Sequence, residues 1–197
     1  MKLRKKDIVL IASAVLIAVT AVTLAYFTNS DAVSNRFSRK QDPDETKTVS
    51  IEVREQFDPP DEPDGEPFRK EVRIENTGSA DSYIRVRLEF SSSEMQEISQ
   101  ISNDADRDNL SAYVPASAFP ESAQHPGWEY RAADGFYYYT EAVAPGGTTE
   151  SLIQWVKTVF PEEWTGATDG YDIYVYSEAV PADDAAGARL NYEDAWR

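Results

Sequence analysis

Short stretches in which apolar residues alternate with polar ones recur along this chain, each bounded by turn chemistry. Val49, Ile51 and Val53 are interleaved with Ser50, Glu52 and Arg54, the period of two that sends successive side chains to opposite faces of a strand. Arg69 to Glu75 repeats the pattern with Val72 and Ile74 inward, and Asn76-Thr77-Gly78 then supplies turn residues that tolerate positive φ. From Tyr83 to Phe90 the pattern is clearest, with Ile84, Val86, Leu88 and Phe90 on one face and Arg85, Arg87 and Glu89 on the other. Three later segments, Gly135 to Tyr139, Leu152 to Val159 and Tyr171 to Val180, are rich in aromatic and β-branched residues, and Pro145-Gly146-Gly147 marks a turn among them. Between the two halves, residues 91–127 are less regular, with Pro115, Pro120 and Pro126 breaking any long element. They are expected to form a loop and short-helix insertion over one end of the sheets. Asn191 is placed to cap a short turn from Tyr192 to Trp196. Many short strands without alternating long helices predict an all-β fold, an antiparallel β-sandwich of jelly-roll-like form.

The N-terminus follows a different pattern. Lys2, Arg4, Lys5 and Lys6 precede an apolar run from Ile8 to Ala25 whose only polar residues are Ser13, Thr20 and Thr23. A basic region before an apolar one is the design of a secretory signal peptide. The run is 18 residues long, just short of the roughly 20 needed to span a bilayer, so a retained membrane anchor over residues 8–25 is the alternative. Thr23 and Ala25 lie three and one before Tyr26, the small-residue spacing that a signal peptidase reads, which places the cut between Ala25 and Tyr26. The expected organisation is a signal peptide at 1–25, a flexible N-terminal segment at 26–47 and a sandwich domain at 48–197.

Composition narrows the partners. The formal charge of −16 becomes −19 when residues 1–25 leave, because four basic groups and Asp7 leave with them. Such a chain repels nucleic acid and anionic lipid, and membrane contact is expected only through the N-terminal segment. There is no cysteine, so the core alone must hold an exported fold, and thiol catalysis and thiolate metal sites are excluded. The stretches 38–47 and 56–67 are rich in Pro, Asp and Glu and read as surface loops.

Several segments together resemble a known group. Ala25-Tyr26-Phe27-Thr28-Asn29-Ser30-Asp31, followed by Asn35 and Phe37, is similar to the signal-peptide junction of proteins processed by a SipW-type signal peptidase. Asn76-Thr77-Gly78 leading to Tyr83-Ile84-Arg85-Val86, then Gly135 to Tyr139 with Pro145-Gly146, then Ser177 to Val180 with Ala195-Trp196, occur in the order found in the TasA/camelysin-like proteins of Gram-positive bacteria. The resemblance implies a jelly-roll-like sandwich, export to the cell surface and, for the best-known members, fibres of a biofilm matrix. The sequence departs from the group where Arg39-Lys40-Gln41-Asp42-Pro43-Asp44 replaces a short Gly-Val strand.

Camelysin-like relatives have been classed as metallopeptidases, and the residues argue against that chemistry here. A zinc peptidase needs about three nitrogen or carboxylate ligands, commonly from a His-Glu-x-x-His helix. This chain has one histidine, His125, in the turn Gln124-His125-Pro126-Gly127. It is expected to be structural or exposed, and its replacement is expected to leave the fold untouched. Asp104, Asp106 and Asp108 alternate as calcium-loop ligands do, but the sixth position is Asn109 instead of Gly and the twelfth is Pro115 instead of Glu. They read first as a solvated acidic loop and second as a calcium site. Asp58, Asp61, Glu62 and Asp64 read as plain surface. Phe136 to Tyr139 with Trp128, Trp155 and Trp164 offer a carbohydrate-stacking surface or, more simply, core and cross-strand pairs. Arg85 and Arg87 read as the solvent face of a strand, paired with acidic neighbours.

The function expected is that of a non-enzymatic surface or extracellular-matrix protein, a signal peptidase substrate that associates with itself or with related surface proteins. No cofactor is expected, calcium being the one candidate. Tyr26, Phe27, Val33 and Phe37 form the candidate assembly segment. The alternatives are a secreted binding module for a glycan, a host protein or calcium and, behind it, a secreted metallopeptidase. N-terminal sequencing of the secreted protein is expected to read Tyr26 first. An intact Met1 recovered in the membrane fraction would instead mark an anchor.

Overall fold

A strand with one apolar face must bury it, and two such sheets facing each other share one core. The computed structural model describes residues 47–60, 65–164 and 171–197. Among them, nine strands form two antiparallel sheets: β1 (Ile51–Asp58), β2 (Phe68–Asn76), β3 (Ser82–Phe90), β4 (Ser99–Ser102), β5 (Val114–Pro115), β6 (Trp128–Arg131), β7 (Phe136–Tyr139), β8 (Ile153–Thr158) and β9 (Ile173–Pro181). One sheet runs β1-β2-β8-β4-β5 and the other β6-β7-β3-β9. Two short α-helices, α1 (Ser93–Ile98) and α2 (Tyr192–Ala195), and two single-turn 3-10 helices, Leu110–Ala112 and Phe119–Glu121, complete the described secondary structure. The fold is an all-β sandwich.

The alternation in the sequence becomes the alternation of burial. Val72 and Ile74 on β2, and Ile84 and Val86 on β3, are fully enclosed, whereas Arg73, Arg85 and Arg87 keep partial access to solvent. Ile51, Val53, Val156 and Val175 join them in one continuous cluster with Trp128 and Tyr137. Asn191 caps α2 as expected, its Oδ1 accepting from the Asp194 amide at 2.7 Å.

Residues 91–127 do contain a short helix, α1, capped by the Ser92 hydroxyl. They also contribute β4 and β5, and β4 sits inside the five-stranded sheet beside β8. Hydrophobic periodicity missed β4 because it reads Ser-Gln-Ile-Ser. Its serines are buried without being apolar: the Ser99 hydroxyl shares hydrogen bonds with Thr158 and Tyr171, each at 3.2 Å.

One corner binds the layers together. The Asn76 side chain is fully buried, and its Nδ2 donates to the carbonyls of Ala80 and Val143 at 2.7 and 2.8 Å while its Oδ1 accepts from the Gly78 amide at 2.9 Å. Its backbone N–H donates to Gly147 and its carbonyl accepts from Gly146. That second contact comes from the Ala144-Pro145-Gly146-Gly147 turn, where Gly146 has φ 75°. Gly78 does not take the positive φ that the turn chemistry anticipated. It is needed for closeness: a Cβ there would lie 2.3 Å from the Thr48 carbonyl oxygen and 2.7 Å from the Ser50 nitrogen.

Asn76→Ala removes three buried side-chain hydrogen bonds and leaves a cavity at the corner, and is expected to cost about 2–4 kcal/mol. Gly78→Ala must push the backbone of residues 48–50 away and is expected to cost about 2–4 kcal/mol. Urea denaturation of the two variants against the parent measures both.

Candidate functional site

The two sheets end differently on their two sides. Among the described residues, β1 pairs only with β2 and β9 only with β3. These edges are eight and nine residues long, and the two strands approach each other across the layers. On the opposite side the edges are β5, of two residues, and β6, of four. A long unpaired edge presents a row of backbone donors and acceptors, a template for another strand. On β9, Ile173, Val175, Ser177 and Ala179 turn inward, and Tyr174 is one of the few large apolar side chains left exposed. The candidate assembly residues Tyr26, Phe27, Val33 and Phe37, and the Ala25–Tyr26 junction, lie outside the described residues. The described chain enters at Lys47 and Thr48, and Thr48 is pinned through its amide to the Ser79 hydroxyl at 2.8 Å, directly before β1.

The outer face of the four-stranded sheet is closed by its own charges. Arg85 donates from Nη2 to Glu178 at 2.5 Å and from Nη1 to the Tyr138 hydroxyl at 2.8 Å. Its guanidinium lies 4.2 Å from the ring centre of Phe136 and 4.5 Å from that of Trp196. Arg131 repeats the arrangement over Tyr138 and Tyr192, at 4.0 and 5.4 Å. Each guanidinium therefore meets at least one ring from β7 and one from the C-terminal turn, which is how α2, only four residues long, is held to the sheet. Arg85 and Arg87 do pair with acids, Glu178 and Glu89, as the alternation led one to expect. The stacking with Trp196 carries no local sequence signal.

The other sequence candidates lie in the loops and on the strands as follows. Asp104 and Asp106 turn their carboxylates onto their own loop: Asp104 Oδ1 accepts from the Asp106 amide, Asp106 Oδ1 from the Asp108 amide, and Asp104 Oδ2 from the Asn109 carboxamide. Among the described residues, no three His, Cys, Asp or Glu side chains gather where they could hold a metal ion. Likewise among the described residues, no helix is long and apolar enough to cross a membrane, and the run 8–25 lies outside them. His125 is half-buried, edge-on to Phe119 and Tyr137 with ring centres 5.8 and 5.4 Å away, and its Nδ1 lies 3.3 Å from the Trp128 carbonyl. The expectation that its removal leaves the fold untouched therefore gives way to a packing role. Of the rings named as a stacking surface, Phe136 to Tyr139 and Trp128 are buried, whereas Trp155 stays partly open on β8.

Comparison of the chain with protein-family profiles, with curated proteins and with solved structures finds no match. The functional reading accordingly rests on this geometry and on the motifs described above.

Two carboxylates tie stability to pH. Burial pushes Glu71 up, but hydrogen bonds from Arg69 and Arg73 more than offset it and hold its carboxyl below the usual range. Asp134 is likewise raised by burial and lowered further by the Tyr138 hydroxyl, the Phe136 amide and the charges of Arg85 and Arg131. Because both folded-state values are depressed, their stabilisation is complete above the ordinary carboxylate pKa of about 4 and disappears as pH falls through the folded values. At the other extreme, burial raises the Tyr113 hydroxyl to about 12, so its contribution is complete below an unfolded pKa of about 10 and is lost as pH rises through the folded value. The urea midpoint is expected to hold between about pH 5 and 9 and to drop on both sides. His125→Ala is expected to lower stability by about 1–2 kcal/mol through lost ring contacts, measured in the same way.

Proposed function

We propose that this chain is an exported, non-enzymatic structural protein of the cell surface or extracellular matrix that associates with further copies through its sheet edges. The observation that carries the reading is that, among the described residues, the long strands β1 and β9 each join a sheet on one side only, and both lie on the same side of the sandwich. A bound strand there would convert exposed N–H and C=O groups into ladder bonds and seat alternate side chains against the open seam. Natural monomers blunt such edges with short strands, charge or proline. Here the short edges lie on the opposite side. The resemblance to the TasA/camelysin-like group and its SipW-type junction supports the same reading, as does the basic-then-apolar start, which fits processing by a signal peptidase or retention as an anchor.

The segment that follows the proposed cut suits the role of added strand. Tyr26, Phe27, Val33 and Phe37 are apolar residues spaced by polar ones, and the described residues share one continuous core among themselves. Deleting residues 26–37 from the mature protein is expected to abolish oligomers while the thermal midpoint stays within about 3 °C. Tyr174→Lys, which places a charge on the β9 edge, is expected to weaken association without unfolding the domain. Light scattering and electron microscopy of mature protein, with and without calcium and at pH 5 and 7, read both. A mature protein that stays monomeric at millimolar concentration under all these conditions would overturn the proposal.

A further inference from the structure

The segment around α2 is docked on the sandwich by side chains alone. Residues 191–197 include none that is buried. Their backbone hydrogen bonds stay inside the segment, Ala195 donating to Asn191 and Arg197 to Asp194, and among the described residues none of these bonds joins a sheet. The root is firmer. At Leu190 the amide donates to the Ala182 carbonyl at 2.9 Å, and the carbonyl accepts from the Tyr83 hydroxyl at 2.9 Å.

Two rings four residues apart carry the contact, a spacing that puts both on one side of a helical turn. Trp196 lies over the Arg85 guanidinium at 4.5 Å and meets Tyr138 edge-on, with 5.6 Å between ring centres. Tyr192 lies over Arg131 at 5.4 Å, and its hydroxyl donates to Glu129. Docking also carries a penalty, because the Trp196 indole N–H is buried without an acceptor and would regain one in water on release. The sheet does not need these rings to place its own groups: Arg85 rests on Phe136 at 4.2 Å and is held by Glu178, and Arg131 rests on Tyr138 at 4.0 Å. Beneath the segment, Tyr138 and Phe136 are only 2% and 8% exposed.

Ordering the whole of 191–197 is opposed by conformational entropy. On the other side stand a few ring contacts to partly exposed guanidinium groups and one hydroxyl bond. Segments with so few buried apolar contacts open well below the free energy that unfolds a core. We propose that residues 191–197 are a detachable strap: they swing open about Leu190 as one unit while both sheets stay folded, and closing hides a guanidinium and aromatic face on β3, β6 and β7 that is already built without them. This goes beyond association through the sheet edges and does not depend on it.

Native-state hydrogen exchange of the mature protein, followed by NMR, tests the strap. The amides of Asp194, Ala195 and Arg197 and the Trp196 indole N–H are expected to share one opening constant, about 100-fold or more above that of the β3 amides. Trp196→Ala, a change on the strap itself, is expected to raise that constant for the three amides by about tenfold and leave the β3 amides as they were. Arg131→Gln, acting from the sheet side, is expected to raise it severalfold. Protein lacking residues 26–37 is expected to give the same constants, so the strap and the edge association succeed or fail separately. Opening constants equal to those of β3 would overturn the proposal, since the segment would then part only with global unfolding. Constants that differ within the segment by more than about tenfold, or that ignore both substitutions, would overturn it equally, because the segment would be fraying residue by residue and not opening as a docked unit.

Discussion

The sandwich depends on one buried carboxamide. Asn76 ends β2, yet its five hydrogen bonds reach the start of β3, the residue that leads into the Pro145 turn, and the turn itself. A side chain with two donors and one strong acceptor can tie three backbone segments together at one point. Asp would reverse the polarity of the two contacts that Nδ2 makes, and Leu would make none of the three side-chain bonds. Gly78 then lets Thr48 and Ser50 lie against the corner, so the point where the chain enters β1 is registered on the point where β2 turns into β3. Because β1 and β2 belong to one sheet and β3 to the other, this corner sets how the two layers meet.

Electrostatics works locally in a chain that is acidic overall. Two arginines are drawn into small structures with carboxylates and rings: Arg85 with Glu178, Phe136 and Trp196, and Arg69 with Glu71 and Trp155. The arginine side chain suits this because its plane stacks while its edge donates. The result anchors a four-residue helix to a sheet in one case and braces β2 against β8 in the other.

Most of the sandwich was legible in the sequence, and the parts that were not share a cause. Val72, Ile74, Ile84 and Val86 announce themselves because a half-buried strand must alternate. Ser99 and Ser102 of β4 do not, since burial there is satisfied by hydroxyl bonds and not by apolar surface. The candidate site was legible only as potential. Alternation says that β1 and β9 are strands but not that they are edges, because being an edge depends on which strands fail to pair, a property of the whole topology. The pairing of Arg69 with Trp155 is of the same kind: the two are far apart in the chain and meet only through the β2–β8 register. Composition offers Trp155 as a stacking ring, whereas the guanidinium that covers it has no counterpart in any local pattern.

The unequal edges bear on what kind of object many copies would make. If two copies joined β9 to β9, each would occupy the other's free edge by the same patch, a two-fold closed pair, and growth would stop there. The short β5 and β6 on the far side offer no second site from which to continue. An unlimited array therefore requires that the group filling the edge come from a different part of the molecule, so that every addition regenerates the vacancy it consumes. On the proposed reading, a sandwich of this shape would be a one-way connector: its own sheets would supply the socket, and whether it built a pair or a filament would be decided by where the plug is attached.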